Sequence, residues 1–121
     1  MWTYRVTSGE MIRPEGTILC NGYSGKGPFK NDPNSEPLHN RGPIPQGRYF
    51  IGDPIDTVTH GPYVLPLTPA PDNIMYGRDG MLIHGDSITD PGNASEGCIV
   101  LAHQYRVAIS ISGDYDLLVT E

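Results

Sequence analysis

At 121 residues the chain has material for one domain with a modest core. Its 15 glycines and 12 prolines, about a fifth of the residues, disfavour long helices and suit short strands joined by ordered loops. A net charge of −6 without any Lys/Arg run argues against nucleic acid, and no stretch nears the ~20 apolar residues needed for membrane insertion.

In chain order, residues 2–7 alternate apolar and polar side chains and predict a strand, with Ser8-Gly9 turning into a partner near residues 11–13. The first ten residues hold no apolar run of signal-peptide type, so synthesis in the cytoplasm without a signal peptide is expected. Residues 17–23 predict a second strand, in which Cys20, beside Ile18 and Leu19, reads as a core thiol. Residues 24–45 form a long polar loop, and a loop of that length in a small domain calls for a functional or packing reason. Strand-like runs follow at 46–51, 63–67 and 81–84, and everything between His84 and Cys98 is loop chemistry. Leu101, Tyr105, Ala108 and Ile109 share a helical face, which predicts a short helix within 101–111, before a closing strand at 115–119. Regular Val, Ile, Leu and Tyr clusters argue against disorder. The expectation is a single domain over residues 1–121, mainly antiparallel β, with one short helix after Cys98.

The chemistry concentrates around Cys98. His84 ends an apolar strand and precedes Gly85, and fourteen positions on, Cys98 follows Gly97 and precedes Ile99-Val100-Leu101. A free thiol is only a few per cent thiolate at neutral pH, so a neighbouring imidazole able to take its proton makes it a nucleophile. Gly97 removes side-chain bulk beside the sulfur, and backbone N–H groups at Gly97–Cys98 are candidates to hold a developing oxyanion. Ser95 is placed to bond either the loop or a substrate. Asp86, on the same strand face as His84, either orients the imidazole or caps the loop. His39, His60 and His103 read as loop, loop and helix-surface residues. A zinc site from His84, Asp86 and Cys98 lacks a fourth ligand, and the His-before-Cys order argues against a papain-like arrangement. A Cys20–Cys98 disulfide, which would abolish the nucleophile, stays open.

His84-Gly85 followed by Ser95-Glu96-Gly97-Cys98-Ile99 resembles the active-site signature of the L,D-transpeptidase (YkuD-like) family, in which a strand-borne His-Gly precedes a Ser/Thr-His-Gly-Cys segment. The segment from Gly42 to Ile51, with its Pro-Ile-Pro-Gln-Gly-Arg-Tyr core, is similar to a strand of that family. With Tyr23-Ser24-Gly25 and the Asn-rich loop at 31–34, the pattern is most similar to the small L,D-transpeptidase toxins delivered by type VI secretion. Glu96 stands where the housekeeping enzymes carry a second His, and Val100 near their usual Arg.

The resemblance implies an L,D-transpeptidase-like β-sandwich or barrel with Cys98 as nucleophile and His84 as base. It implies cleavage of the meso-diaminopimelate–D-Ala bond of peptidoglycan tetrapeptide stems, as L,D-carboxypeptidase or in exchange for a D-amino acid, with no cofactor or metal. Gly85, Glu96, Tyr23 and Ser24 are the candidate cleft residues, with the 24–45 loop as a wall. Action in the periplasm of a target bacterium, a cognate immunity protein and a secretion-system carrier follow from the same likeness. The competing reading is a non-catalytic peptidoglycan- or partner-binding module on a degenerate fold of this kind.

Overall fold

The computed structural model describes residues 1–121. Ten strands occupy Trp2–Arg5 (β1), Glu10–Ile12 (β2), Ile18–Asn21 (β3), Tyr23–Ser24 (β4), Gly47–Ile51 (β5), Ile55–Thr57 (β6), Gly61–Pro69 (β7), Leu82–His84 (β8), Ile99–Val100 (β9) and Asp116–Thr120 (β10). The helix α1 spans His103–Ser110. Hydrogen bonding orders the strands β3-β2-β1-β10-β5-β7-β8-β9-β4, with β6 paired to β7. The domain is mainly β, as expected, but the sheet is mixed: β1 runs parallel to β10, and β8 parallel to β9.

Side-chain alternation sets the core. Trp2 pairs with Leu117 and Leu117 with Tyr49, so three large inward residues stand side by side across β1, β10 and β5. Ile51, Leu65, Ile83 and Ile99 continue this buried layer through β7, β8 and β9. Ile109 is fully buried and fixes α1 against β7 and β8. The helix starts later than the periodicity predicts because the Leu101 N–H donates to the His84 carbonyl at 3.0 Å, extending the strand ladder past β9.

The run expected at 17–23 is split. Asn21 ends β3 at one edge of the strand order, and Tyr23 begins β4 at the other, so a single residue, Gly22, joins both edges. Nine strands laid flat would separate those edges by roughly 38 Å at ordinary strand spacing. The sheet therefore curls back on itself, the sandwich or barrel arrangement expected. Backbones converge at the seam: Gly22 N–H donates to Gly9 O at 2.7 Å, and a Cβ on Gly22 would overlap the Val100 carbonyl oxygen. The 24–45 loop carries 3₁₀ turns at Gly27–Phe29 and Pro33–Ser35 and buries Ser24, Ser35, Glu36 and Ile44. No helix is long and apolar enough to cross a membrane.

Gly22→Ala should cost about 3 kcal/mol or more in urea unfolding, because a side chain there meets backbone and the Leu101 side chain that cannot withdraw. Gly52→Ala, whose added carbon finds only ordinary contacts at 3.5–3.6 Å, should change stability far less. Equal losses in the two variants would contradict closure through Gly22.

Candidate active site

The parallel β8–β9 pair brings His84 and Cys98 to one place. Ile83 pairs with Ile99 and His84 with Val100, so Cys98, just before β9, stands alongside Leu82. Ile83 and Ile99 face the core, which turns His84 and Cys98 to the opposite face of the same two strands. Both line a cleft of about 960 Å³, whose walls also include Gly85, Asp86, Glu96, Gly97 and Arg106. Cys20 and Cys98 are both free thiols, and Cys20 belongs to the core as expected.

His84 is 2% exposed and its two ring nitrogens are used differently. Nδ1 lies 2.7 Å from the Gly85 carbonyl, which can only accept, so Nδ1 carries the proton. Nε2 is then the free lone pair, and it has no partner in the protein. Burial lowers the His84 pKa below the usual histidine value, only partly offset by that Gly85 bond, and neighbouring His60 and Arg106 push it the same way. The imidazole is therefore neutral at pH 7, and its Nε2 is an unpartnered basic nitrogen buried behind the cleft surface.

The Cys98 thiol sits 3.8 Å from the Gly80 carbonyl. Burial raises its pKa to about 11, against the Leu82 N–H and the Arg78 charge, which favour the thiolate, while Glu96 adds to the rise. The resting pair is thus neutral thiol and neutral imidazole rather than a preformed ion pair.

Around the sulfur, the sequence assignments divide. Ser95 is fully buried and shapes the loop: its Oγ donates to Cys98 O at 2.6 Å and accepts from Gly25 N and Gly97 N. That engages the Gly97 N–H, so Gly97 offers no oxyanion donor. The bulk missing at Gly97 does not open a path for substrate either; it makes room for Arg78, whose Nη2 would overlap a Cβ at that position. Arg78 is buried and donates to the carbonyls of Glu36, Pro43, Gly42 and Glu96 at 2.6–3.2 Å.

Asp86 does not orient His84. Its carboxylate accepts from Tyr23 OH at 2.7 Å and from the N–H groups of Ser87 and Gly92, so of the two roles considered it takes loop capping. Those bonds outweigh burial and hold the Asp86 carboxyl below its usual value. Tyr23 and Ser24 lie behind the cleft rather than on it: the Tyr23 hydroxyl joins Asp86 to Ala94 N–H, and Ser24 Oγ donates to Gly97 O at 3.1 Å. Of the 24–45 loop only Asn40 reaches the cleft, and the loop backs the Cys98 turn instead of forming a wall. Gly85 and Glu96 do line it.

Sequence reasoning missed three side chains. His60, read as an ordinary loop residue, packs against His84 with ring centroids 4.7 Å apart and planes tilted by 45°, and lines the cleft. Arg78 and Arg106 carried no motif; the signal for each was a glycine, Gly97 and Gly85, beside which the guanidinium lies.

A thiol with pKa about 11 is about one part in a thousand ionised at pH 8, so reaction of Cys98 with iodoacetamide should rise about tenfold per pH unit from 7 to 10. Peptide mapping by mass spectrometry separates Cys98 from Cys20. A rate already level below pH 8 would indicate a preformed thiolate and contradict the neutral pair.

No curated protein and no solved structure matches this chain. A family model, the Tlde1 domain, matches residues 19–113, more than three quarters of the sequence, and includes β8, the Cys98 turn, β9 and α1. The chain belongs to the Tlde1 domain family.

Proposed function

We infer that this domain is a cysteine L,D-carboxypeptidase that removes D-Ala from peptidoglycan tetrapeptide stems, with Cys98 as nucleophile and His84 as general base. The observation that carries this reading is the unpartnered Nε2 of His84 in the wall of the cleft that holds Cys98, with Nδ1 already fixed on Gly85 O. The Tlde1 domain is a type VI secretion effector domain, which fits a cell-wall target in a competing bacterium.

In the proposed reaction, His84 Nε2 takes the thiol proton as the sulfur adds to the carbonyl carbon at the L-centre of meso-diaminopimelate. The carbonyl electron pair moves to oxygen and returns as the C–N bond breaks. His84 then gives the proton to the departing D-Ala nitrogen, leaving a thioester on Cys98. Water, deprotonated by His84, hydrolyses the thioester and restores the thiol; a D-amino acid amine in place of water gives exchange. Arg78 and the Leu82 N–H supply the favourable field for the sulfur anion that burial otherwise disfavours. Such activity acts in the periplasm of the recipient, and the producing cell needs an immunity protein that occludes the same cleft.

Tetrapeptide stems incubated with the protein should lose D-Ala by mass spectrometry. Cys98→Ala should abolish the loss and His84→Ala should reduce it at least 10²-fold. Because His84 must be neutral and its pKa lies below the usual 6.5, kcat/KM should hold level from pH 7 to about 6.5 and fall only at lower pH. Unchanged peptides with wild type, or equal turnover by Cys98→Ala, would overturn the reading.

A further inference from the structure

Arg106 projects from α1 into the cleft wall, is 5% exposed, and is only partly satisfied. Its hydrogen bonds run through Nη1 alone, to the carbonyls of Pro62 at 3.1 Å and Tyr63 at 3.2 Å, while Nε is buried without any partner. Nη2 lies across Gly85, 2.9 Å from where a Cβ would stand, with no acceptor from the chain. Four carboxylates, those of Asp79, Asp86, Asp90 and Glu96, line the same cleft, yet none forms an ion pair with Arg106. An arginine this buried with unused donors is costly unless acceptors complete them, and with Nε sealed inside the protein the donor left for an anion is Nη2. Gly85 follows His84 directly, so the unused Nη2 donor lies beside the residue assigned to protonate the leaving amine.

We propose that Arg106 binds the terminal carboxylate of the residue the enzyme expels. The assignment rests on the reading of Cys98 and His84 as a peptidase pair. In a C-terminal amino acid the carboxylate is two bonds from the nitrogen that His84 protonates, so a cation beside Gly85 receives it while the carbonyl carbon faces Cys98. Arg106 therefore restricts cleavage to the last residue of a free C-terminus. The same contact holds the carboxylate of a free amino acid whose amine accepts the acyl group. A Cβ at Gly85 would meet the Arg106 guanidinium, so the glycine leaves that group its place beside the base.

The test uses Cys98→Ala protein, which cannot turn over, and calorimetric binding of a tetrapeptide stem as its free acid and as its C-terminal amide. The acid should bind roughly tenfold to a hundredfold more tightly, the range for one charged hydrogen-bonding contact. Adding Arg106→Gln should erase the difference, and Arg106→Lys should keep part of it, with urea unfolding confirming that both variants fold. Equal binding of acid and amide, a preference that survives Arg106→Gln, or no binding of the acid would each overturn the proposal. The acid-against-amide comparison uses an intact Arg106, so it decides the matter even where the Arg106 variants do not fold. Turnover by wild type is scored separately: unchanged peptides together with a clear acid preference would overturn the peptidase reading and leave the carboxylate site standing.

Discussion

The buried guanidinium of Arg78 is the contact on which the geometry around the thiol depends. It gathers three carbonyls from the 24–45 loop and one from Glu96, and it occupies the space left by the missing side chain of Gly97. Removing a cation from water is unfavourable unless its donors are matched, so a half-built version of this knot has no stable alternative. Two buried serines reinforce it from the other side: Ser24 Oγ bridges Gly97 O and Ile44 N, and Ser95 Oγ bridges Cys98 O with Gly25 and Gly97 N–H. A loop of more than twenty residues is thereby held in one conformation with little regular structure of its own. Its role is to back the nucleophile turn.

Burial does opposite things to the two reacting groups. It pushes the Cys98 thiol up to about 11 and the His84 imidazole down, so both are uncharged at rest. An ion pair formed in advance would need strong solvation or a closer cation; here the sulfur has one backbone N–H and the field of Arg78. The arrangement favours proton transfer at the moment of attack over storage of a thiolate, and it leaves Cys98 poorly reactive toward adventitious oxidants and alkylating agents. The acidic cleft rim adds to that preference, because Glu96 disfavours negative sulfur. A single unpaired cation, Arg106, stands against those carboxylates beside the base.

The fold class was legible because alternation and turn residues are local signals. Trp2, Tyr4, Leu117 and Val119 alternate inward as their sequences predict. The pairing of strands was not legible: nothing local to residues 99–101 announces that they extend beside β8, which is why helix periodicity there ran two residues too early. The split at Gly22 had a local signal in the turn dipeptide Asn21-Gly22, but nothing local reveals that the two halves join opposite edges of a sheet. At the site, His84 and Cys98 were recognisable from residue type and flanking glycines. The reason for those glycines was not, because Gly97 and Gly85 are shaped by Arg78 and Arg106, which lie close in space and far away in sequence. Asp86 was ambiguous from period-two geometry alone; Tyr23, sixty-three positions earlier, settles it by taking up the carboxylate. His60 reaches His84 only through the hairpin of β6 and β7, a tertiary contact with no sequence motif.

The central claim is covalent chemistry at Cys98. Its most direct test is intact-protein mass spectrometry after brief incubation with a tetrapeptide stem and an acid quench, which preserves thioesters. The account predicts a mass increase equal to the mass of the stem minus the mass of free D-Ala, one acyl group replacing the thiol proton that leaves on the D-Ala amine. Peptide mapping should place it on Cys98, and Cys98→Ala should remove it. An adduct on Cys20, or turnover without any thiol adduct under conditions that slow thioester hydrolysis, would contradict the account.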